Sequence, residues 1–226
     1  MSLGRIKACI FDAYGTLFDL GAMAEEYRPL LGEQTDSVMR QWRRKQLEIS
    51  WLPLRPGQAA DFWSLTNDAL EFVLDKAGLA DQGLAPHLMA GWQTPPVFAD
   101  VGLSLQNLRS MGLRTAILSN GTRRMIEGAV IAAGLSPVLD AVLSVEEVGR
   151  FKPDPLVYCQ AMTHFGVEAN DVCFVSGNPW DVHGAAAVGF QVVWINRTHI
   201  AAEQLPVGTR ATIASLAELP AVLGGQ

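Results

Sequence analysis

A set of short apolar runs constrains the fold of this chain more than any other feature. "IKACIF" (6–11), "LRTAIL" (113–118), "DVCFV" (171–175) and "FQVVWI" (190–195) are rich in β-branched or aromatic residues, or run apolar without alternation, and "AVLS" (141–144) is a weaker example. Strands covered on both faces read this way. Helical patterns at 103–111, 122–133, 154–165 and 181–188 separate them. Alternating strands and helices predict an α/β fold with a Rossmann-like, doubly wound parallel sheet. Such sheets bind ligands beyond the carboxyl ends of their strands. The residues at those ends are Asp12, Ser119-Asn120 and Ser176-Gly177-Asn178, so Asp12 is expected on the floor of a cleft.

Between the first two runs the texture changes. Segments near 21–31, 35–51, 58–77 and 82–92 carry helical periodicity with no clear strand among them. In the second, Val38, Trp42 and Ile49 form an apolar stripe, and Met39, Arg43, Leu47 and Ser50 a mixed stripe beside it. Pro53 and Pro56 end that segment, Gly78 ends the next as a C-cap, and "TPPVF" (94–98) is a return linker. The expected organisation is an α/β core of residues 1–16 and 97–226 with an all-helical cap, 17–96, inserted into it.

Composition narrows the function class. Hydrophobic residues make up 49% of the chain and charged residues 18%, which suits a globular protein with a sizeable core. A net charge of −6 gives no positive field for nucleic acid or an anionic membrane surface. Cys9, Cys159 and Cys173 have no paired spacing and read as reduced thiols. The four histidines have no metal-ligand spacing. No long apolar stretch precedes Asp12, so a signal peptide is not expected and a cytoplasmic location is.

Several residues have both a plain and a chemical reading. Asp12 can be a turn carboxylate or a nucleophile, since a free aspartate is ionised without help and Thr16 can orient it. Ser119 and Asn120 can be turn residues before a helix capped by Thr122, or donors into the cleft. Lys152 is held extended by Pro153, just ahead of a helix capped by Asp154 with Pro155 at its first position. It can be a solvated lysine or a cation in the cleft. In "VSGNPWD" (175–181), helix capping accounts for Asn178, Pro179 and Asp181 without any catalysis. The segment is no serine elbow, because Phe174 stands where the first glycine would be.

Taken in order, "FDAYGTLFD", "ILSNG", "KPDPLVY" and "FVSGNPWD" resemble the haloacid dehalogenase superfamily over nearly the whole chain. Most of that superfamily are magnesium-dependent phosphohydrolases with a second aspartate two residues after the nucleophile and an acidic pair in the last motif. Tyr14 and Asn178 stand here instead, which removes oxygen ligands for a hard cation. The resemblance is to the L-2-haloacid dehalogenase branch, with "WRRKQLEISWL" (42–52) similar to that group's signature helix and "WINRT" (194–198) a further likeness. It implies no cofactor, no metal, a small 2-haloacid as substrate and a homodimer. It also implies functional roles for Asp12, Thr16, Arg43, Ser119, Lys152, Tyr158, Ser176, Asn178 and Asp181. Gly177 and Pro179 depart from the serine and alanine of the branch, and Gly177 is expected to loosen the loop that carries Asn178.

The implied chemistry is displacement of halide by Asp12 and hydrolysis of the resulting ester. Ser119 and Lys152 would hold the substrate carboxylate, Arg43 and Asn120 the halide, and Asp181 would activate water, steered by Lys152, Asn178 and Ser176. Tyr14, Leu47, Phe62 and Trp180 would form an apolar wall. A phosphohydrolase, and a non-catalytic protein that binds a small carboxylate, are the alternative readings.

Overall fold

The computed structural model describes residues 6–55, 57–201 and 208–224. Pro56 and the two ends of the expected core therefore lie outside the described residues. Six parallel strands form one sheet: β1 (Ala8–Phe11), β2 (Arg114–Ser119), β3 (Ala141–Ser144), β4 (Val172–Ser176), β5 (Gln191–Ile195) and β6 (Ala211–Ile213). Their order is β3-β2-β1-β4-β5-β6. β1 lies in the middle, with Phe11 opposite Ile117 on one side and Val175 on the other. All four β1 residues and all five of β4 are buried, as their unbroken apolar runs require. The chain winds outward from β1 in one direction and then from β4 in the other. The crevice between those two strand ends is the switch point at which such sheets place ligands.

β6 was not anticipated. It is a three-residue edge strand, "ATI", of which only Ile213 is buried, and it carries no apolar run to announce it.

After β1 come four helices that precede the return linker, α1 (Leu20–Leu31), α2 (Thr35–Ser50), α3 (Phe62–Lys76) and α4 (Ala85–Ala90), with no strand among the described residues of this stretch. α1 starts where the Asp19 carboxylate accepts from the N–H groups of Gly21 and Ala22. α3 starts at Phe62 and not near 58, because Asp61 caps it through the Ser64 N–H. α2 and α3 pack along each other. The face α2 buries is Thr35, Val38, Trp42, Gln46 and Ser50. The expected stripes are corrected here: Ile49 is half-buried, and Gln46 completes the buried row.

The remaining helices are α5 (Val101–Ser110), α6 (Arg123–Ala132), α7 (Pro155–Phe165), α8 (Pro179–Ala187) and α9 (Leu219–Val222). Thr122 and Asp154 cap α6 and α7 as the sequence suggests, accepting from Met125 and Leu156 N–H. Among the described residues, no helix is long and apolar enough to cross a membrane.

Candidate active site

Asp12 follows the last residue of β1, and its backbone N–H still donates to Val175 on β4 (3.0 Å). The residue is 7% exposed. The loop that follows turns at Gly15, whose φ of 88° is open to glycine and costly for other residues. This turn brings Thr16 back, and its hydroxyl donates to Asp12 Oδ2 at 3.1 Å. The same threonine oxygen accepts the Gly177 N–H at 2.9 Å. The loop after β1 and the loop after β4 are thereby joined.

Gly177 does not loosen this junction. A Cβ there would lie 2.5 Å from the Gly15 carbonyl oxygen, so its missing side chain permits a close approach of two backbones. Trp194 also donates to its carbonyl at 3.2 Å.

Asn178 occupies the N-cap position of α8, but its side chain makes no capping bond. Its Nδ2 donates to Asp12 Oδ2 at 3.0 Å, and Ser176 Oγ accepts the Asn178 N–H at 3.1 Å. The capping account of Asn178 is thus corrected. Pro179 does begin α8, and Asp181 falls in its first turn, fully buried.

Lys152 is buried to 1% exposure, which corrects the reading of it as a solvated lysine. Its Nζ donates to Asp12 Oδ1 at 3.2 Å and to Asp181 Oδ2 at 2.9 Å. The Phe174 ring lies 5.0 Å away. An ammonium this deep is stable only when paired. Its backbone N–H donates to Asn120 Oδ1 at 2.9 Å, so the carbonyl end of Asn120 is used and its NH2 end is left for other work. Tyr158 donates to the other oxygen of Asp181 at 2.8 Å. Burial pushes the Asp181 carboxyl above the usual carboxylate range. Lys152 opposes that push and the charge of Asp12 adds to it. Burial, with Asp181 alongside, pushes the Tyr158 phenol far up, so it remains a donor.

Around Asp12 lies a small chamber of about 10 Å³, lined by Asp12, Tyr14, Arg43, Leu47, Phe62, Ser119, Asn120, Lys152 and Trp180. The sheet supplies its polar floor and helices α2 and α3 its roof. Tyr14 contributes its ring, while its hydroxyl is turned away to the Trp92 carbonyl at 2.6 Å. Ser119 accepts the Gly121 N–H at 3.2 Å. Arg43 reaches down from α2. Its Nη1 donates to Gln46 Oε1 at 2.6 Å, and its guanidinium carbon lies 6.0 Å from the centroid of the Trp92 ring. No carboxylate forms an ion pair with it among the described residues, and burial pulls its pKa down.

The sequence-predicted residues fall into two groups. Nine line the chamber; Thr16, Tyr158, Ser176, Asn178 and Asp181 stand behind Asp12 and Lys152 and hold them. Gln46, Thr66, Asp100 and Arg197 were missed. Gln46 sits at helical spacing from Val38 and Trp42, which is a signal, though a glutamine reads as solvated. The superfamily's divalent cation does not fit these residues. Asn178 presents an N–H to Asp12, Tyr14 turns its oxygen away, and the Lys152 ammonium stands between the two carboxylates. Among the described residues, no group of three or more His, Cys, Asp or Glu could hold a metal.

Comparison with known proteins gives the family and the fold. The family model of the haloacid dehalogenase-like hydrolases matches residues 6–189. The chain is 40% identical over 219 residues to (S)-2-haloacid dehalogenase 1 of Pseudomonas sp. (strain CBS-3), covering 96% of each. A dehalogenase crystal structure superposes with a TM-score of 0.94 at 38% identity, over 99% of this chain and 100% of that one. The L-2-haloacid dehalogenase of Xanthobacter autotrophicus with chloropropionic acid covalently bound superposes with a TM-score of 0.88 at 33% identity, over 98% and 100%. Sequence motifs, sheet order and near-complete coverage coincide, and the chain belongs to the haloacid dehalogenase-like hydrolases, in the branch of the (S)-2-haloacid dehalogenases.

Proposed function

We propose that this protein hydrolyses short-chain L-2-haloalkanoic acids to D-2-hydroxy acids and halide, through an ester on Asp12 and without a metal ion. The observation that carries the reading is the pairing of opposites across one small chamber: a carboxylate at the end of β1 and, facing it, an arginine with no carboxylate partner. An anionic nucleophile and a cation free to receive an anion are what displacement of halide requires.

Asp12 Oδ1 attacks the α-carbon, the carbon–halogen bond breaks, and the halide leaves with the bonding pair. Oδ1 is the attacking atom because Lys152 is its one partner. Oδ2, held by Thr16 and Asn178, remains the acyl oxygen. Arg43, with the free NH2 of Asn120, stabilises the charge that grows on the halide. Ser119 and the third Nζ–H of Lys152 hold the substrate carboxylate. Water then attacks the Asp12 acyl carbon, and Thr16 and Asn178 hold the oxyanion on Oδ2. Asp181 takes one proton of the water and gives it to the departing alkoxide, releasing the hydroxy acid, and the new Asp12 carboxyl loses the other proton to solvent, which restores the carboxylate. Tyr158 and Lys152 hold Asp181 in place, and Ser176 holds Asn178. Leu47, Phe62, Tyr14 and Trp180 enclose the alkyl group.

The proposal includes the division into a core of 1–16 and 97–226 and a cap of 17–96. It also includes a cytoplasmic location and a homodimer, which light scattering on the purified protein tests. The reaction itself is tested by a single turnover of L-2-chloropropionate with enzyme in excess, in heavy-oxygen water. Label in the Asp12 peptide and not in the product is the expected outcome. Label in the product alone would make Asp12 a base. Halide release should survive exhaustive chelation, and a loss restored by magnesium would overturn the metal-free reading.

A further inference from the structure

The reaction proposed above asks Arg43 to meet the halide at full charge and in one fixed place. A carboxylate partner would fix it but cancel its field. The structure holds Arg43 with a neutral acceptor instead, the side-chain oxygen of Gln46, one helical turn away at 2.6 Å. Gln46 is wholly buried, and so is Thr66, to which its amide nitrogen donates at 2.7 Å.

We infer that Gln46 is the positioning residue for Arg43 and that Thr66 fixes the direction in which its amide points. The hydrogens leave no choice. The Thr66 hydroxyl lies 2.5 Å from the Phe62 carbonyl, which can only accept, so the hydroxyl proton goes there. The hydroxyl oxygen is left to accept, and the Gln46 NH2 group must face it. The amide oxygen then has to face Arg43. The relay ends on rigid ground, because Trp42 Nε1 donates to the Thr66 carbonyl at 2.8 Å and ties α2 to α3. Phe62, whose carbonyl ends the relay, also lines the chamber. The halide-facing cation is thus set in register with the chamber wall by α3, and its own helix does not set it alone.

This inference rests on the dehalogenase reading, and its test separates the two. Displacement uses Arg43 and ester hydrolysis does not, so a positioning role shows up in one half-reaction. The variants are Gln46→Met (similar length, no acceptor), Gln46→Glu (an acceptor with a cancelling charge), Thr66→Val (same shape, no hydroxyl) and Thr66→Ser (hydroxyl restored). Rapid-quench single turnovers of L-2-bromopropionate follow halide release and hydroxy-acid release separately, and product inhibition by bromide reads the halide site directly. Misplacing a catalytic group by about 1 Å costs on the order of 100-fold, so Gln46→Met, Gln46→Glu and Thr66→Val should slow halide release by about that factor. They should weaken bromide inhibition as well, while ester hydrolysis stays within about twofold of wild type. Thr66→Ser should recover most of the halide-release rate. The Thr66 pair decides the matter even if a Gln46 variant fails to fold. Equal losses in both half-reactions, or wild-type halide release and bromide inhibition in Gln46→Met, would overturn the inference and leave the reaction standing. No halide release by the wild-type protein would remove both.

Discussion

At the scale of single residues, the site is a set of four charges in fixed relation. Lys152 is shared between Asp12 and Asp181, and Arg43 forms an ion pair with neither, although the charges of both favour its cationic form. Because the charge of Asp12 adds to what raises Asp181, the two carboxylates are coupled through the reaction. In the proposed reaction ester formation would neutralise Asp12, removing that contribution and leaving Lys152 to Asp181. The proton affinity of Asp181 would then fall as the ester forms, so the proposed base would be more firmly ionised when water is activated. Asp12→Asn neutralises the same position, so it should lower the pH at which the Asp181 carboxyl titrates, read by carbon NMR of labelled aspartate. In the unmodified enzyme that titration should lie above the ordinary value of about 4. An unchanged or higher titration point in Asp12→Asn would show that the carboxylates are not coupled. Asp181→Asn should release halide but stall as the ester, with hydrolysis down by about 100-fold or more. Asp12, Lys152 and Asp181 were legible because each follows a strand or stands at the start of a helix, whereas Arg43, in the middle of α2, was reached only through the family resemblance. Gln46 and Thr66 were not legible, because a polar side chain in a helix ordinarily faces water, and only a buried partner on another helix shows otherwise.

At the scale of elements, the site depends on how loops from distant parts of the chain are clamped together. Arg197, just beyond β5, donates through both Nε and Nη2 to the Thr16 carbonyl, at 3.1 and 3.0 Å. Its Nη1 pairs with Asp100 at 3.0 Å, and its guanidinium lies over the Phe98 ring at 3.8 Å. Asp100 also accepts from Ser215 and from the Leu216 N–H, both at 2.7 Å. Burial pushes the Asp100 carboxyl up, but these partners together hold it below its usual range. One arginine therefore binds the nucleophile loop, the linker that returns from the four helices, and the C-terminal segment. Arg197→Met should leave the Asp100 carboxylate short of its counter-ion at a largely buried position. The expected cost is about 3 kcal/mol of stability, or roughly 6–12 °C in melting temperature. A change under about 1 kcal/mol, the worth of a surface pair, would show that the clamp is ornamental. The five core strands and their order of appearance were readable from apolar runs that alternate with helices. β6 escaped because three residues at a sheet edge need no run, and the clamp escaped because it joins residues 16, 100, 197 and 215, whose proximity only the completed sheet creates.

At the scale of the whole molecule, the chamber and its approaches differ sharply in size. The chamber's 10 Å³ is room for about one water. Next to it, a larger cavity of about 380 Å³ opens between residues 50–54, at the end of α2, and residues 150–154, which precede α7. Lys152 and Trp180 line both spaces, and Trp180 meets Trp51 edge-on at 5.7 Å. Trp180 stands between the two spaces, and in the proposed reaction it is the partition that would set chain length. Trp180→Ala should raise the ratio of kcat/KM for 2-bromohexanoate over 2-chloropropionate by about tenfold or more, as a pocket gains several methylenes of room. An unchanged ratio would place the size limit elsewhere. The narrowness has a further effect, on durability. In the proposed reaction the acyl aspartate would be open to attack by an amine, which would leave an amide on Asp12. The walls that bury Asp12 stand between it and bulk solvent, so they would shield that ester from amines too large to pass them.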